Sequence, residues 1–199
     1  AITDTATAST TVAGNANLIG TSITIGDAGG DTFNAGSLTF TSGGAVSITE
    51  DSATDLSGTS IADSLVLTSA GAITDAAAAS TTIAGNATFV GTSVTIGDAG
   101  GDTFNAGSLT FTSAGAVAIS ENSDSNLTGT STAGSLSLIS TGAITDDATA
   151  STTVTGNASF SGTSITIGDT GTDTFNAGSL TVTSAGAVAI NEDSATDLS

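Results

Sequence analysis

The chain has 199 residues, of which 19 are acidic and none is Lys, Arg or His, so its formal net charge is −19. It has 26 glycines and no Cys, Met, Pro, Trp or Tyr. Without cationic side chains the protein has nothing to neutralise phosphates, which argues against nucleic-acid binding, and an anionic membrane surface repels it. Without His or Cys it lacks the ligands of common zinc, haem and iron–sulfur sites and the partners of a Ser or Cys nucleophile. Only hard cations with oxygen ligands remain as metal partners.

The opening segment of the chain occurs three times. AITDTATASTTVAGNA begins at Ala1, and closely similar segments begin at Ala72 and Ala143, so the repeat is 71 residues long. The copies are 1–71, 72–142 and an incomplete 143–199. Repeat arrays normally end in altered, polar capping repeats, and this one does not. We therefore expect a single continuous solenoid, either a piece of a longer molecule or a subunit whose ends are covered by neighbours.

Each copy divides into three segments that begin with short alternating runs. In the first copy the segments are 14–35, 36–62 and 63–84. Apolar residues such as Ile23 and Ile25, or Leu65 and Leu67, alternate with polar ones, which is the period of a β-strand. Such short strands are stable only if each coil buries its apolar row on the next. The pattern predicts an all-β fold, a parallel β-helix or β-solenoid with three coils per 71-residue repeat.

Equivalent positions in the three copies support this assignment of strand faces. Three positions that we assign to the core stay apolar in all three copies. In copy order they are Leu18, Phe89 and Phe160; Ile23, Val94 and Ile165; and Phe40, Phe111 and Val182. The neighbouring outward position changes freely, from Ile19 to Val90 to Ser161. At about 4.8 Å per coil the chain makes a rod of roughly 40 Å. Because of its high negative charge, we expect this rod to attract divalent cations.

Three sequence segments resemble repeats of a known family. GSLTFTSGGAVSIT, DSLVLTSAGAIT and GSLTVTSAGAVAIN each join a Leu-x-apolar strand to a Gly-containing corner and a second short strand. They resemble the filamentous-haemagglutinin-like repeats of large secreted bacterial adhesins. This resemblance implies a right-handed parallel β-helix, secretion to the cell surface, and a structural role in a fibre or stalk. It also implies copies of the chain itself, end to end or side by side, and host or surface glycans as partners.

A Gly-Asp motif provides the candidate metal ligands. GDAGGDTFNAG occupies 26–36 and recurs at 97–107 and, slightly changed, at 168–178. It resembles one nonapeptide of the calcium-binding RTX repeats, and its candidate calcium ligands are Asp27, Asp31, Asp98, Asp102, Asp169 and Asp173. An RTX site needs adjacent motifs in successive turns, whereas these copies lie about 14 Å apart at three coils per copy. The alternatives are a simple turn anchored by Phe33 and a looser role for calcium as a counterion between rods.

A second acidic cluster, Glu50, Asp51 and Asp55, recurs in the later copies as Glu121, Asp124 and Asn126 and as Glu192, Asp193 and Asp197. Paired carboxylates can hydrolyse glycosides, but catalysis needs one asymmetric pocket with a tuned acid and base. We therefore predict a solvated loop, no catalytic residues and no required cofactor. Rows of outward Ser and Thr leave ice binding open beside calcium binding as an alternative function.

Overall fold

The computed structural model describes residues 1–195 and 197–198, in which every regular element is a β-strand and every strand pair is parallel. The strands in chain order are β1 (Ile2–Thr3), β2 (Ser9–Gly20), β3 (Ile23–Ile25), β4 (Thr32–Ser42), β5 (Ala45–Glu50), β6 (Thr54–Leu56), β7 (Thr59–Ala62), β8 (Ser64–Ser69), β9 (Ile73–Asp75), β10 (Ser80–Val90), β11 (Val94–Ile96), β12 (Thr103–Thr112), β13 (Ala116–Glu121), β14 (Ser125–Leu127), β15 (Thr130–Ala133), β16 (Ser135–Ser140), β17 (Ile144–Asp146), β18 (Ser151–Gly162), β19 (Ile165–Ile167), β20 (Thr174–Ser184) and β21 (Val188–Ile190). The predicted parallel β-solenoid is confirmed.

Two long ladders of parallel strands run the length of the solenoid. Ladder A contains β1, β3, β5, β8, β10, β12, β14, β17, β19 and β21. Ladder B contains β2, β4, β6, β9, β11, β13, β16, β18 and β20. The chain alternates between the ladders, so each return to one ladder completes a coil. The first halves of the long strands, together with β7 and β15, make shorter ladders at the corners.

Successive copies of the repeat lie on opposite sides of the solenoid. Ile2 in β1 belongs to ladder A, the equivalent Ile73 in β9 belongs to ladder B, and Ile144 in β17 belongs to ladder A again. Seven coil steps lead from β1 to β17, which start two copies apart in the sequence. Each copy therefore makes about three and a half coils rather than the predicted three. The additional half coil comes from β6 and β7, in a segment that we had treated as a loop.

The core is a continuous column of apolar side chains between the ladders. Phe40, Phe89, Phe111 and Phe160 are fully buried, as the comparison of copies predicts. Leu18 and Val182 are only partly buried because they lie toward the two ends of the column. The outward Ile19 is two-thirds exposed, at 67%. Burial of this column on both sides of every inner coil is the main stabilising contribution, since each short strand alone has little apolar surface to bury.

Asparagine side chains join neighbouring coils on the outside. Asn15 Oδ1 accepts hydrogen bonds from Ser37 Oγ at 3.1 Å, Thr39 Oγ1 at 3.2 Å and Ser57 Oγ at 3.0 Å. Asn86 makes the same set in the second copy, with Ser108, Thr110 and Thr128. One amide oxygen thus connects three successive levels of the solenoid, which gives these corner asparagines a structural role.

Candidate metal centres

Nine aspartates form three similar clusters along the solenoid. In each cluster one carboxylate oxygen of every aspartate lies within 4.8 Å of the other two. The clusters, which we call Asp triads, are Asp4, Asp27 and Asp31; Asp75, Asp98 and Asp102; and Asp146, Asp169 and Asp173. In each triad the first member is half-buried, the second exposed and the third buried. Each triad therefore combines a buried, a half-buried and an exposed carboxylate.

The register of ladder A brings the first triad together. Ile2 pairs with Ile23 and Thr3 with Thr24, so Asp4, which follows β1, lies beside the turn that follows β3 one coil further on. The backbone N–H of Gly26 in that turn donates a 2.8 Å hydrogen bond to Asp4 Oδ2. The equivalent bonds from Gly97 to Asp75 and from Gly168 to Asp146 are 2.9 and 3.0 Å long.

The turn itself depends on glycine. Gly26 has φ +68°, a left-handed conformation that side chains disfavour, and a Cβ there would lie 2.3 Å from the carbonyl oxygen of Thr49. Gly97 is held in the same way, with φ +73° and the carbonyl oxygen of Ser120 at 2.3 Å from such a Cβ. Glycine thus lets the backbone pass close to the next coil and carry the following aspartate to the triad.

The third aspartate of each triad also stabilises the turn. Asp102 Oδ1 accepts a 3.2 Å hydrogen bond from the N–H of Ala79, in the preceding coil, and Oδ2 accepts a 2.9 Å bond from Ala99. Asp31 makes the same two bonds in the first copy. Asp173 differs, because the N–H and the hydroxyl of Thr170 both donate to its Oδ2. Its Oδ1 is buried and has no hydrogen-bond partner among the described residues.

The first aspartate of each triad keeps one buried oxygen unpaired. Oδ1 of Asp4, Asp75 and Asp146 is inaccessible to water and accepts no hydrogen bond from any described residue. Burial is the main cause that raises the pKa of Asp75 and of Asp146, to about 6 in each case. The Gly97 N–H lowers the pKa of Asp75, whereas the charges of Asp102 and Asp98 raise it further. No side chain in the sequence can supply a positive charge to these carboxylates, since the chain has no Lys, Arg or His.

Six of these nine carboxylates were predicted from the sequence, and the other three are Asp4, Asp75 and Asp146. We expected the neighbouring ligands in the next copy of the Gly-Asp motif, whereas in the structure the third carboxylate comes from the start of the same copy. The sequence feature that marks these three residues is the Ile-Thr-Asp motif at 2–4, 73–75 and 144–146, which each of them ends. The proximity of this aspartate to the Gly-Asp turn follows only from the register of one coil on the next.

In the other acidic cluster the glutamate is buried, which corrects our prediction of a solvated loop at that position, whereas Asp51 is exposed. Glu50 is 1% exposed, and its Oε1 accepts a 2.7 Å hydrogen bond from the N–H of Ala35. Its Oε2 accepts a 2.7 Å bond from Thr54 Oγ1. Asp51 Oδ2 accepts a 2.9 Å bond from the N–H of Phe33. Glu50 is buried because β6 and β7 continue the coil where we expected a bulge, and both carboxylates accept hydrogen bonds from backbone N–H groups.

One surface groove, of about 470 Å³, lies at the corner between β12, β15 and β18. Its lining consists of small and hydroxyl residues, which are Thr112, Ser113, Ala114, Thr132, Ala133, Gly134, Thr153 and Thr155. No carboxylate belongs to this lining, so the groove holds no pair of acids for glycoside hydrolysis.

No described part of the chain forms a helix long and apolar enough to cross a membrane. No protein-family model matches the sequence, and neither the curated proteins nor the solved structures contain a match.

Proposed function

We propose that this protein is a structural segment of an extracellular bacterial fibre or adhesin stalk and performs no catalysis. The observation that carries the proposal is the unbroken parallel stacking from Ile2 in β1 to Val188 in β21, nine coil steps along ladder A. At about 4.8 Å per step this ladder is about 43 Å long. Such a solenoid gains length by adding copies, because each coil contacts only its neighbours.

Copies of the chain itself are the proposed partners. Among the described residues, β1 pairs only with β3 and β21 pairs only with β19, so each of these strands has one edge that can accept a further coil. That coil can belong to the same chain or to a second copy. The net charge of −19 opposes side-by-side contact between rods until cations screen it, and divalent cations are therefore the second class of partner.

Secretion and contact with surface glycans are part of the same proposal and derive from the resemblance to filamentous-haemagglutinin-like repeats. The triplicate distribution of the acidic motifs supports a structural role over an enzymatic one, since catalysis needs a single tuned pocket. Ice binding is less well supported. Outward residues that follow one another along ladder A include Thr24, Ser47, Val66 and Thr88, which is a mixed row rather than a uniform threonine array.

Electron cryo-microscopy of the purified protein, at several concentrations and with and without calcium, tests the proposal. We expect filaments with a layer line at about 4.8 Å and, because each copy adds three and a half coils, a meridional repeat of about 17 Å. Isolated rods of about 43 Å under every condition would contradict assembly into a fibre. Turnover of an acidic polysaccharide would contradict the absence of catalysis.

A further inference from the structure

We propose that each Asp triad binds one Ca²⁺ ion and thereby ties together two successive coils of the solenoid. Asp4, Asp75 and Asp146 supply the ligand from one coil, and the two aspartates of the Gly-Asp turn supply the ligands from the next. This inference depends on the fold alone and is independent of the proposed fibre function.

The distribution of unsatisfied buried atoms separates the triads from an ordinary acidic surface. Five buried side-chain oxygens among the described residues have no hydrogen-bond partner, and four of them belong to the triads. Three are Oδ1 of Asp4, Asp75 and Asp146, and the fourth is Oδ1 of Asp173. The Asp173 side chain is 94% buried, since its exposure is only 6%. A buried charged oxygen without a partner is costly, and an ion that coordinates it removes that cost.

The chemistry of the triads selects a hard cation. All ligand atoms are carboxylate oxygens, and no cationic side chain exists anywhere in the sequence to neutralise them. Ca²⁺ binds six to eight oxygens at about 2.3–2.6 Å, so oxygens on opposite sides of the ion lie about 4.6–5.2 Å apart. The three oxygens of each triad lie within 4.8 Å of one another, so one ion of this size can contact all three. Mg²⁺ requires near-ideal octahedral geometry and keeps several of its waters, so it is usually bound through one or two carboxylates rather than three.

Burial gives the calcium-free protein a reason to bind the ion. In each triad the first aspartate is half-buried and the third is buried, and no cationic side chain offsets their charge. Without an ion each triad therefore holds these carboxylates in an unfavourable position. A divalent cation reverses the effect of the neighbouring charges and turns mutual repulsion into shared attraction.

Calorimetric titration of the full chain with CaCl₂, after treatment with a chelator, tests the proposal. The buffer contains about 0.15 M NaCl, at which the Debye length is about 8 Å, so that diffuse counterion binding is suppressed. We expect three calcium ions per chain, one for each triad. Asp75→Asn should lower the number to two. Asp63→Asn removes the same charge at an exposed position outside the triads and should leave it at three.

Thermal unfolding of a triple variant provides a second measurement. The triple variant combines Asp4→Asn, Asp75→Asn and Asp146→Asn. Each asparagine keeps an oxygen that can accept the hydrogen bond from the turn glycine, and the variant loses three half-buried charges. Without calcium this variant should melt at or above the temperature of the native chain. Calcium should raise the melting temperature of the native chain and leave that of the triple variant unchanged.

Three outcomes would overturn the proposal. They are the same calcium stoichiometry in Asp75→Asn as in the native chain, an equal and saturable response to MgCl₂, and an equal calcium-induced rise of the melting temperature in the triple variant. The first and third would mean that calcium acts only as a counterion of the anionic rod, and the second would mean that the triads do not select calcium.

Discussion

The Glu121 carboxylate accepts a 2.7 Å hydrogen bond from the backbone N–H of Ala106, in the preceding coil, and is almost completely buried. Burial is the main cause that raises the pKa of Glu121, and it outweighs the hydrogen bonds from Ser125, Ala106 and Ser123, which lower it. The folded protein therefore holds the proton of this group more tightly than the unfolded chain does.

The raised pKa of Glu121 predicts that the protein becomes less stable as the pH rises. The stabilising contribution of the protonated group is complete below the unfolded value of about 4.3 and is lost as the pH rises through the folded value. The raised pKa values of Asp75 and Asp146, about 6, act in the same direction. Urea unfolding in the presence of a chelator, followed by circular dichroism at about pH 5 and about pH 7.5, should give the larger free energy at the lower pH.

Glu121→Gln should reduce this pH dependence without abolishing it, because Asp75 and Asp146 still titrate. The exposed Asp63→Asn is the matched control and should keep the native pH dependence. Identical slopes in Glu121→Gln and the native chain would refute the role of Glu121.

Removal of the Glu50 side chain should destabilise the protein strongly. Glu50→Ala leaves the N–H of Ala35 and the hydroxyl of Thr54 without their carboxylate acceptor. Because the Thr54 hydroxyl is buried and the Ala35 N–H is in a partly buried bond, we expect the free energy of unfolding to fall by about 2–4 kcal/mol. Glu50→Gln keeps one acceptor oxygen and should cost clearly less. Urea unfolding of both variants measures the difference, and equal losses would show that hydrogen bonding is not the cause.

Alanine at Gly97 should be tolerated far less well than alanine at Gly100. Gly97 has φ +73°, and a Cβ there would lie 2.3 Å from the Ser120 carbonyl oxygen, whereas no atom lies within 4 Å of a Cβ built on Gly100. We expect Gly97→Ala to lower the free energy of unfolding by at least about 2 kcal/mol. Gly100→Ala should be neutral or stabilise by up to about 1 kcal/mol, through the unfolded state. Both are measured without calcium, and similar effects at the two positions would contradict the described turn.

Truncation of Phe89 tests the continuous core. Its ring is fully buried, and its centroid lies 5.9 Å from that of Phe104. Phe89→Ala should lower the free energy of unfolding by about 3–5 kcal/mol, since it leaves a cavity between coils. Val66→Ala, on the outward face at 43% exposure, should cost less than about 1 kcal/mol. A comparably small loss for Phe89→Ala would mean that this level of the column is not closely packed.

The fold was predictable from the sequence because strand faces are a local property. Alternation at Ile23 and Ile25, and at Phe40 and its equivalents, is enough to tell inward from outward side chains. The number of coils in each copy was harder to predict. In β7 the inward positions are Ser60 and Ala62 and the exposed ones are Thr59 and Ile61, so the local pattern does not reveal a strand that the neighbouring coils stabilise.

The Asp triads could not be predicted from the sequence because their assembly depends on the pairing register between successive coils. Ile2 pairs with a residue 21 positions later, whereas Ile23 pairs with one 23 positions later and Val46 with one 19 positions later. Because the coil length changes from level to level, the residue above a given aspartate cannot be found by a fixed offset. The buried glutamates were missed for a related reason, since their burial depends on β6 and β7.

The alternation of Ile2, Ile73 and Ile144 between opposite ladders affects the straightness of the rod. A feature that widens or tightens one side of a coil tilts the axis toward the other side. If copies recurred on the same side, these small tilts would add, and a long array would curve into a ring or a superhelix. Because the copies alternate between the two sides, tilts of this kind in successive copies have opposite directions and cancel. A sequence with irregular coils can therefore extend over many copies as a straight, stiff rod.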